Sequence, residues 1–281
     1  MILKRLLFKK RNTIFYILAI LCASSFSFSQ TSPLKGLVVD ANTNQPFSYA
    51  NINVPNKNIG CITKADGSFV LDPKNAQEND SIVFSYIGYE SKSFTLKSLK
   101  KFLNSNTAIG LQENIEELDE TVIISKTRWK IKTLGSQTTS SLGYGFSADV
   151  GSELGRKIKI QKKNTHLLKF GAHVVTNTYE SIKLRLNIYA LRDGGLGEKI
   201  NTENIYVDFK DTSGFLEIDL EPYNIVVSEN IIITLQWVDY TGSGDFKVSS
   251  KLPGLSKTIL KSFGYTMKFP ITLGYHVKVK Y

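Results

Sequence analysis

The strongest constraint on the fold is the stretch Gly36–Tyr89, where short β-rich runs alternate with turn clusters. Ala50, Ile52 and Val54 alternate with Asn51 and Asn53, the period of a half-buried strand. The run Asp40-Ala41-Asn42-Thr43-Asn44-Gln45-Pro46 reads as a turn, because Asp and Asn tolerate turn dihedrals and Pro ends a ladder. Asp66-Gly67 stands between Ile62 and Phe69 as a hairpin signal. Ile82-Val83-Phe84 is a short apolar strand, and Gly88 marks a bulge or tight bend. Phe94 continues the sheet, Leu96–Leu103 forms one or two helical turns, and Ala108–Leu111 is the closing strand.

The blocks appear in a fixed order: G-x-V-x-D from Gly36, then Q-P-F-S-Y-A-N-I-N-V, G-C-I-T-K-A-D-G-S-F and D-S-I-V-F-S-Y-I-G-Y-E. In that order they resemble the carboxypeptidase-regulatory-like domain. The resemblance implies a small prealbumin-like β-sandwich over residues 31–112, of the kind found beside metallocarboxypeptidases and at the start of many TonB-dependent outer-membrane receptors. It implies no chemistry, since such a fold carries none of its own. The acidic run Glu113–Ser125 resembles the TonB-box region that follows this domain in those receptors. That implies a candidate partner peptide, Glu117, Leu118, Asp119, Glu120, Thr121, Val122 and Ile123, able to add to a partner's sheet edge. An ordered linker or last strand is the plainer reading of the same residues. Lys126–Ser141 is basic, then rich in Gln, Thr and Ser, so 113–142 is expected to link two domains.

Ahead of this lies an export leader, residues 1–29. Lys4, Arg5, Lys9, Lys10 and Arg11 precede the apolar run Thr13–Ala23, and Ser27 and Ser29 stand where a signal peptidase cuts, before Gln30. Leu21 ahead of Cys22 excludes a lipoprotein site. Removing five leader cations from 35 basic residues leaves 30 against 25 acidic ones, a mature net charge of +5. That is an ordinary soluble surface, with no indication of nucleic acid as partner. Cys61 is then the only cysteine, so no internal disulfide forms, and its place in an apolar strand predicts a buried, inert thiol.

Residues 143–281 are again all-β. Ile182, Leu184, Leu186 and Ile188 alternate with Lys183, Arg185, Asn187 and Tyr189, and similar faces recur at Leu216–Leu220, Ile231–Trp237 and Ile271–Tyr281. About eight strands separated by turns predict a jelly-roll-like antiparallel β-sandwich. An eight-stranded membrane barrel shows the same alternation, but most runs here are shorter than the roughly 9–11 residues a spanning strand needs. The blocks N-T-Y-E-S-I-K-L-R-L-N-I-Y and F-L-E-I-D-L-E-P-Y-N-I-V-V also resemble uncharacterised exported proteins of this two-domain layout, which assigns no activity.

No catalytic, cofactor or metal site is expected. His166 and His173 differ in strand parity and so are expected on opposite sheet faces, and no zinc motif is present. The Asp40–Asn44 run opens like a calcium loop but has Gln45 in place of glycine and Asn51 in place of the closing glutamate. Gly143-Tyr144-Gly145-Phe146-Ser147-Ala148 matches G-x-G-x-x-A without a surrounding βαβ unit. Tyr189, Tyr206 and Phe215 fall on the polar parity of their strands, making them candidate contacts for a glycan or protein partner, while Trp237 shares the apolar parity of the core. The expected protein is an exported, non-catalytic envelope module of the periplasm or outer-membrane surface. It binds a glycan or an envelope protein, through which it associates with the membrane; the alternative is an adaptor in TonB-linked nutrient uptake.

Overall fold

The computed structural model describes residues 32–114, 128–145, 150–252, 258–262 and 265–281. The leader and the candidate partner peptide Glu117–Ile123 lie outside the described residues. Within Pro33–Tyr281, which forms one compact unit, the protein is almost entirely β-sheet.

The first sandwich has two sheets. β1 (Leu34–Asp40) is central in one, antiparallel to β4 (Ser68–Leu71) and parallel to β7 (Ala108–Leu111). The other runs β3 (Gly60–Ile62), β2 (Asn51–Asn53), β5 (Ser81–Ser85), β6 (Lys92–Thr95). Helix α1 (Leu96–Leu103) starts where the Thr95 hydroxyl accepts the Ser98 N–H, buries Leu96 and Leu99, and ends on Lys100 and Lys101, which complement its dipole. Val38, Ile52, Phe69, Phe84, Leu99 and Ile109 meet in one core. Each such buried side chain contributes about 1.5–3 kcal/mol of transfer free energy.

The Asp66-Gly67 turn forms as the sequence predicts. Gly67 takes φ +78°, its N–H donates to Lys64 O, and the Asp66 carboxylate accepts the Ser68 N–H and hydroxyl. The strands it joins are not ladder partners, however: β3 pairs with β2 and β4 with β1, so the turn crosses from one sheet to the other. Gly88 bends the chain at φ +78°. The Asp40 carboxylate accepts the Asn42 and Thr43 N–H groups and the Tyr89 hydroxyl, closing a polar turn.

The second sandwich packs two antiparallel sheets. One is built on β12 (Ser181–Arg192), β17 (Ile231–Thr241) and β10 (Glu153–Ile158), extended by β13 (Gly195–Lys199), β14 (Ile205–Phe209), β19 (Thr258–Ser262) and β20 (Tyr265–Phe269). The other centres on β11 (Thr165–Asn177). β22 (Tyr275–Lys280) and β18 (Phe246–Lys251) pair with it, as do β15 (Gly214–Asp219) and β16 (Val226–Val227). Phe170, Leu186, Ile233, Trp237 and Val277 share the core between the sheets, with Trp237 inside as its parity predicts. The architecture is jelly-roll-like, and among the described residues the strands do not close into a barrel.

Two expectations are corrected. Part of the expected linker is sheet: β8 (Ile131–Gly135) pairs with β22, drawn in by the buried Leu134. Gly135 sits at φ +102° against the Tyr275 carbonyl, and Ser140 O accepts the Ser249 hydroxyl, so 131–140 lies on the second sandwich. Also, a register shift between Leu167 and Lys169 inserts a bulge into β11. The bulge inverts the parity beyond it, so Leu167 and Phe170 both point inward, and the half-buried His166 and His173 both lie on the outer face rather than on opposite faces.

Candidate functional site

Of the three rings expected outside, only Phe215 stands free: it is 64% exposed, edge-on to the His173 ring at 5.1 Å. Tyr189 is buried, a correction to the exposure its parity predicts. Its hydroxyl donates to the Glu153 carboxylate at 3.0 Å, and that buried carboxylate also accepts the Thr234 hydroxyl at 2.7 Å. Tyr206 is half-buried, with its ring edge-on to Tyr49 at 5.7 Å. The physical reasons differ: the first sandwich covers the outer face at Tyr206 through Tyr49, whereas Tyr189 is covered within its own sandwich by Ile232, Leu191, Leu196 and Lys199.

That junction is the most densely built polar site in the described residues. Arg185 on β12 is 1% exposed. Its Nε and Nη2 donate to Gln236 Oε1 at 2.9 and 2.6 Å. Its Nη1 donates to the Tyr49 carbonyl at 2.9 Å and to Asn204 Oδ1 at 3.3 Å, and Nη2 also donates to Asn51 Oδ1 at 3.1 Å. Gln236 on β17 returns the link by donating to Asn51 Oδ1 and the Gly151 carbonyl, both at 3.0 Å. Lys199 donates to Asn187 Oδ1 at 2.8 Å and lies over the Tyr189 ring.

Tyr49 is the first sandwich's principal contribution. It takes φ +62°, a left-handed conformation uncommon for a bulky residue. Its hydroxyl donates to Asp239 Oδ2 at 3.1 Å, and burial together with that carboxylate pushes its pKa up to about 12. Tyr49, Ile62 and Val238 form a small apolar cluster beside the polar one.

Two clefts flank the junction. One, of 1270 Å³, opens between β3, β4 and the end of β17, lined by Tyr49, Gly60, Ile62, Val70 and Tyr240 among others. The other, of 440 Å³, is lined by Asn51, Tyr86, Asn114, Lys199 and Asn201. Cys61 lines the larger cleft and is half-buried rather than fully buried as the sequence predicts, and burial pushes its thiol up to about 12. No group of three or more His, Cys, Asp and Glu among the described residues could hold a metal ion. Gly143–Gly145 is an edge strand beside β18 rather than a phosphate loop.

Arg185, Gln236, Asn51 and Tyr49 are residues that parity alone missed. The signal was in β17, where Val238 lies on the supposedly polar parity and is buried against Tyr49 and Ile62. A strand apolar on both faces is covered on both.

The first sandwich, with its seven strands and one helix, falls within a stretch that a family comparison matches. Residues 34–123 match the CarboxypepD_reg-like domain. They form such a domain. The match reaches through the candidate peptide Glu117–Ile123. Over 120 residues the chain is 34% identical to the TonB-dependent receptor SusC of Bacteroides thetaiotaomicron, covering 41% of this chain and 11% of that receptor. The CarboxypepD_reg-like domain is therefore distantly related to a module of a far longer protein. Among solved structures, infectious bursal disease virus particles of the Gx and Gt strains align over 89% of this chain and 73% and 78% of theirs. Their identities are 11% and 10% and their TM-scores 0.26 and 0.30, too low to bear on function.

Proposed function

We propose that the protein is an exported, non-catalytic accessory of TonB-linked outer-membrane nutrient uptake. In this reading the CarboxypepD_reg-like domain and the Glu117–Ile123 segment engage the uptake machinery. The observation that carries it is the 34% identity over 120 residues to a TonB-dependent receptor. The leader pattern supports export without lipidation, and the same relationship favours an outer-membrane location. The test is calorimetric titration of the full chain with the periplasmic domain of the host's TonB. Saturable binding, lost in Val122→Pro and Ile123→Pro because proline cannot donate to a ladder, is the expected result. No binding, or binding indifferent to both substitutions, refutes it.

A glycan-binding role is the second reading, favoured by Phe215, which is exposed beside His173. It predicts retention of the chain on envelope polysaccharide that Phe215→Ala abolishes; retention unchanged by that substitution rejects it.

A further inference from the structure

We propose that Tyr49 and Arg185 clamp the two sandwiches into one rigid, cooperatively unfolding body, rather than two beads on a linker. All five hydrogen bonds of the Arg185 guanidinium described above go to neutral oxygens. Two of those oxygens, the Tyr49 carbonyl and Asn51 Oδ1, belong to the CarboxypepD_reg-like domain, and Gln236 and Asn204 belong to the second sandwich. Parting the sandwiches breaks the Arg185 bonds to the Tyr49 carbonyl and Asn51 Oδ1 and the Tyr49–Asp239 bond together, exchanging each for water. It also exposes the apolar cluster of Tyr49, Ile62 and Val238, so opening is opposed by the net of several bonds and by the buried apolar surface.

Tyr49 makes the contact geometrically selective. Its left-handed backbone aims the carbonyl at Arg185 while the ring meets Tyr206 and the hydroxyl meets Asp239. Three separate attachments from one residue exclude sliding, which an apolar interface would permit. A planar guanidinium fork adds the same selectivity from the other side.

The clamp has a consequence for the segment 115–127, whatever that segment binds. Its two ends are anchored on different sandwiches: the Asn114 N–H donates to Gly88 O, and the Lys130 N–H donates to Tyr281 O. If the sandwiches are one body, those two anchors, Asn114 and Lys130, keep a fixed separation.

The two sandwiches carry independent reporters. Cys61 lies half-buried in the first, so its alkylation rate rises when that sandwich opens, while Trp237 is buried in the core of the second. The experiment heats the full chain, following tryptophan emission and, by peptide mass, alkylation of Cys61. Coincident midpoints are expected for the wild type. In Arg185→Met, the rise in Cys61 alkylation should come about 5 °C or more below the tryptophan transition. Arg185→Lys keeps the charge but not the fork and should give a smaller split; it carries the test should the Met variant fail to fold. Midpoints already apart in the wild type, or midpoints that stay together in both variants, would overturn the proposal.

Discussion

Two buried tyrosines of the second sandwich should respond in opposite directions to the loss of one oxygen. Tyr275 is 0% exposed, its ring edge-on to Phe170 at 5.3 Å, and its hydroxyl has no hydrogen-bond partner. An unpaired buried hydroxyl costs about 1–3 kcal/mol on mutational scales, while removing the oxygen forfeits only a few dispersion contacts. Tyr275→Phe should therefore stabilise the protein by about 1 kcal/mol, raising Tm by roughly 2–4 °C for a chain of this size. Tyr189 is 6% exposed, but its hydroxyl donates to both oxygens of Glu153. A hydrogen bond to a charged group contributes about 1.5–3 kcal/mol, so Tyr189→Phe should lower stability by about that much. Urea unfolding of the two variants beside the wild type, at equal m-value, measures both. The reasoning fails if Tyr275→Phe loses more than about 1 kcal/mol, for then the hydroxyl is satisfied, as by a buried water. It fails equally if the two substitutions move stability in the same direction.

N-terminal sequencing of the exported protein should find cleavage between Ser29 and Gln30; a mature chain starting at Cys22 would contradict both the export route and the absence of lipidation. Asp40 has its carboxyl held below its usual value of 3.8, chiefly by the Thr43 N–H and then by the Tyr89 hydroxyl and Asn42 N–H. A depressed carboxyl contributes stability that is present above the unfolded pKa and is lost as pH falls through the folded one. Asp40→Asn should therefore cost stability at neutral pH and flatten the loss below about pH 4, read from acid titrations monitored by circular dichroism; an unchanged acid limb contradicts the assignment. At Gly155 on β10, a Cβ would overlap the Ile233 carbonyl oxygen and Thr234 of the neighbouring strand. Gly155→Ala should cost about 1–3 kcal/mol by forcing β10 and β17 apart, and a neutral result in thermal unfolding would show that this sheet yields more than its packing indicates.

The first sandwich was legible because its information is local. The turn at Asp66-Gly67, the bend at Gly88 and the short helix at Leu96–Leu103 each depend on residues a few positions apart. What strand a turn leads into is not local: β3 and β4 lie in different sheets although four residues of tight turn suggest a hairpin. Parity reading failed at β11 for a definite reason. A single extra residue near Leu168 inverts the facing from Lys169 to Val174, where a second register shift follows, and nothing in T-H-L-L-K-F announces the bulge. The junction escaped for a different reason. Arg185 and Gln236 belong to polar rows that look solvated until another domain covers them, and only the apolar Val238 on β17 betrays the cover. Glu117–Ile123, the partner peptide read from resemblance, lies outside the described residues and stays with the function experiment.

The edge positions of β7 and β8 decide how the molecule would bear a pull applied to residues 115–127. Among the described residues, β7, which leads towards that segment, is flanked only by β1, its parallel neighbour. Among the same residues β8, which follows it, is flanked only by β22. Tension along β7 loads its ladder bonds together, so they resist as a group. Tension across β8 meets the Lys130–Tyr281 pair first, where each N–H donates to the other's carbonyl, and passes on only when that pair breaks. The second sandwich would therefore peel from Lys130 towards Gly135, lengthening the tether, while the first stays zipped. Single-molecule extension from attachment points on either side of β8 should show that short release before any global unfolding, and a single-step rupture would rule it out.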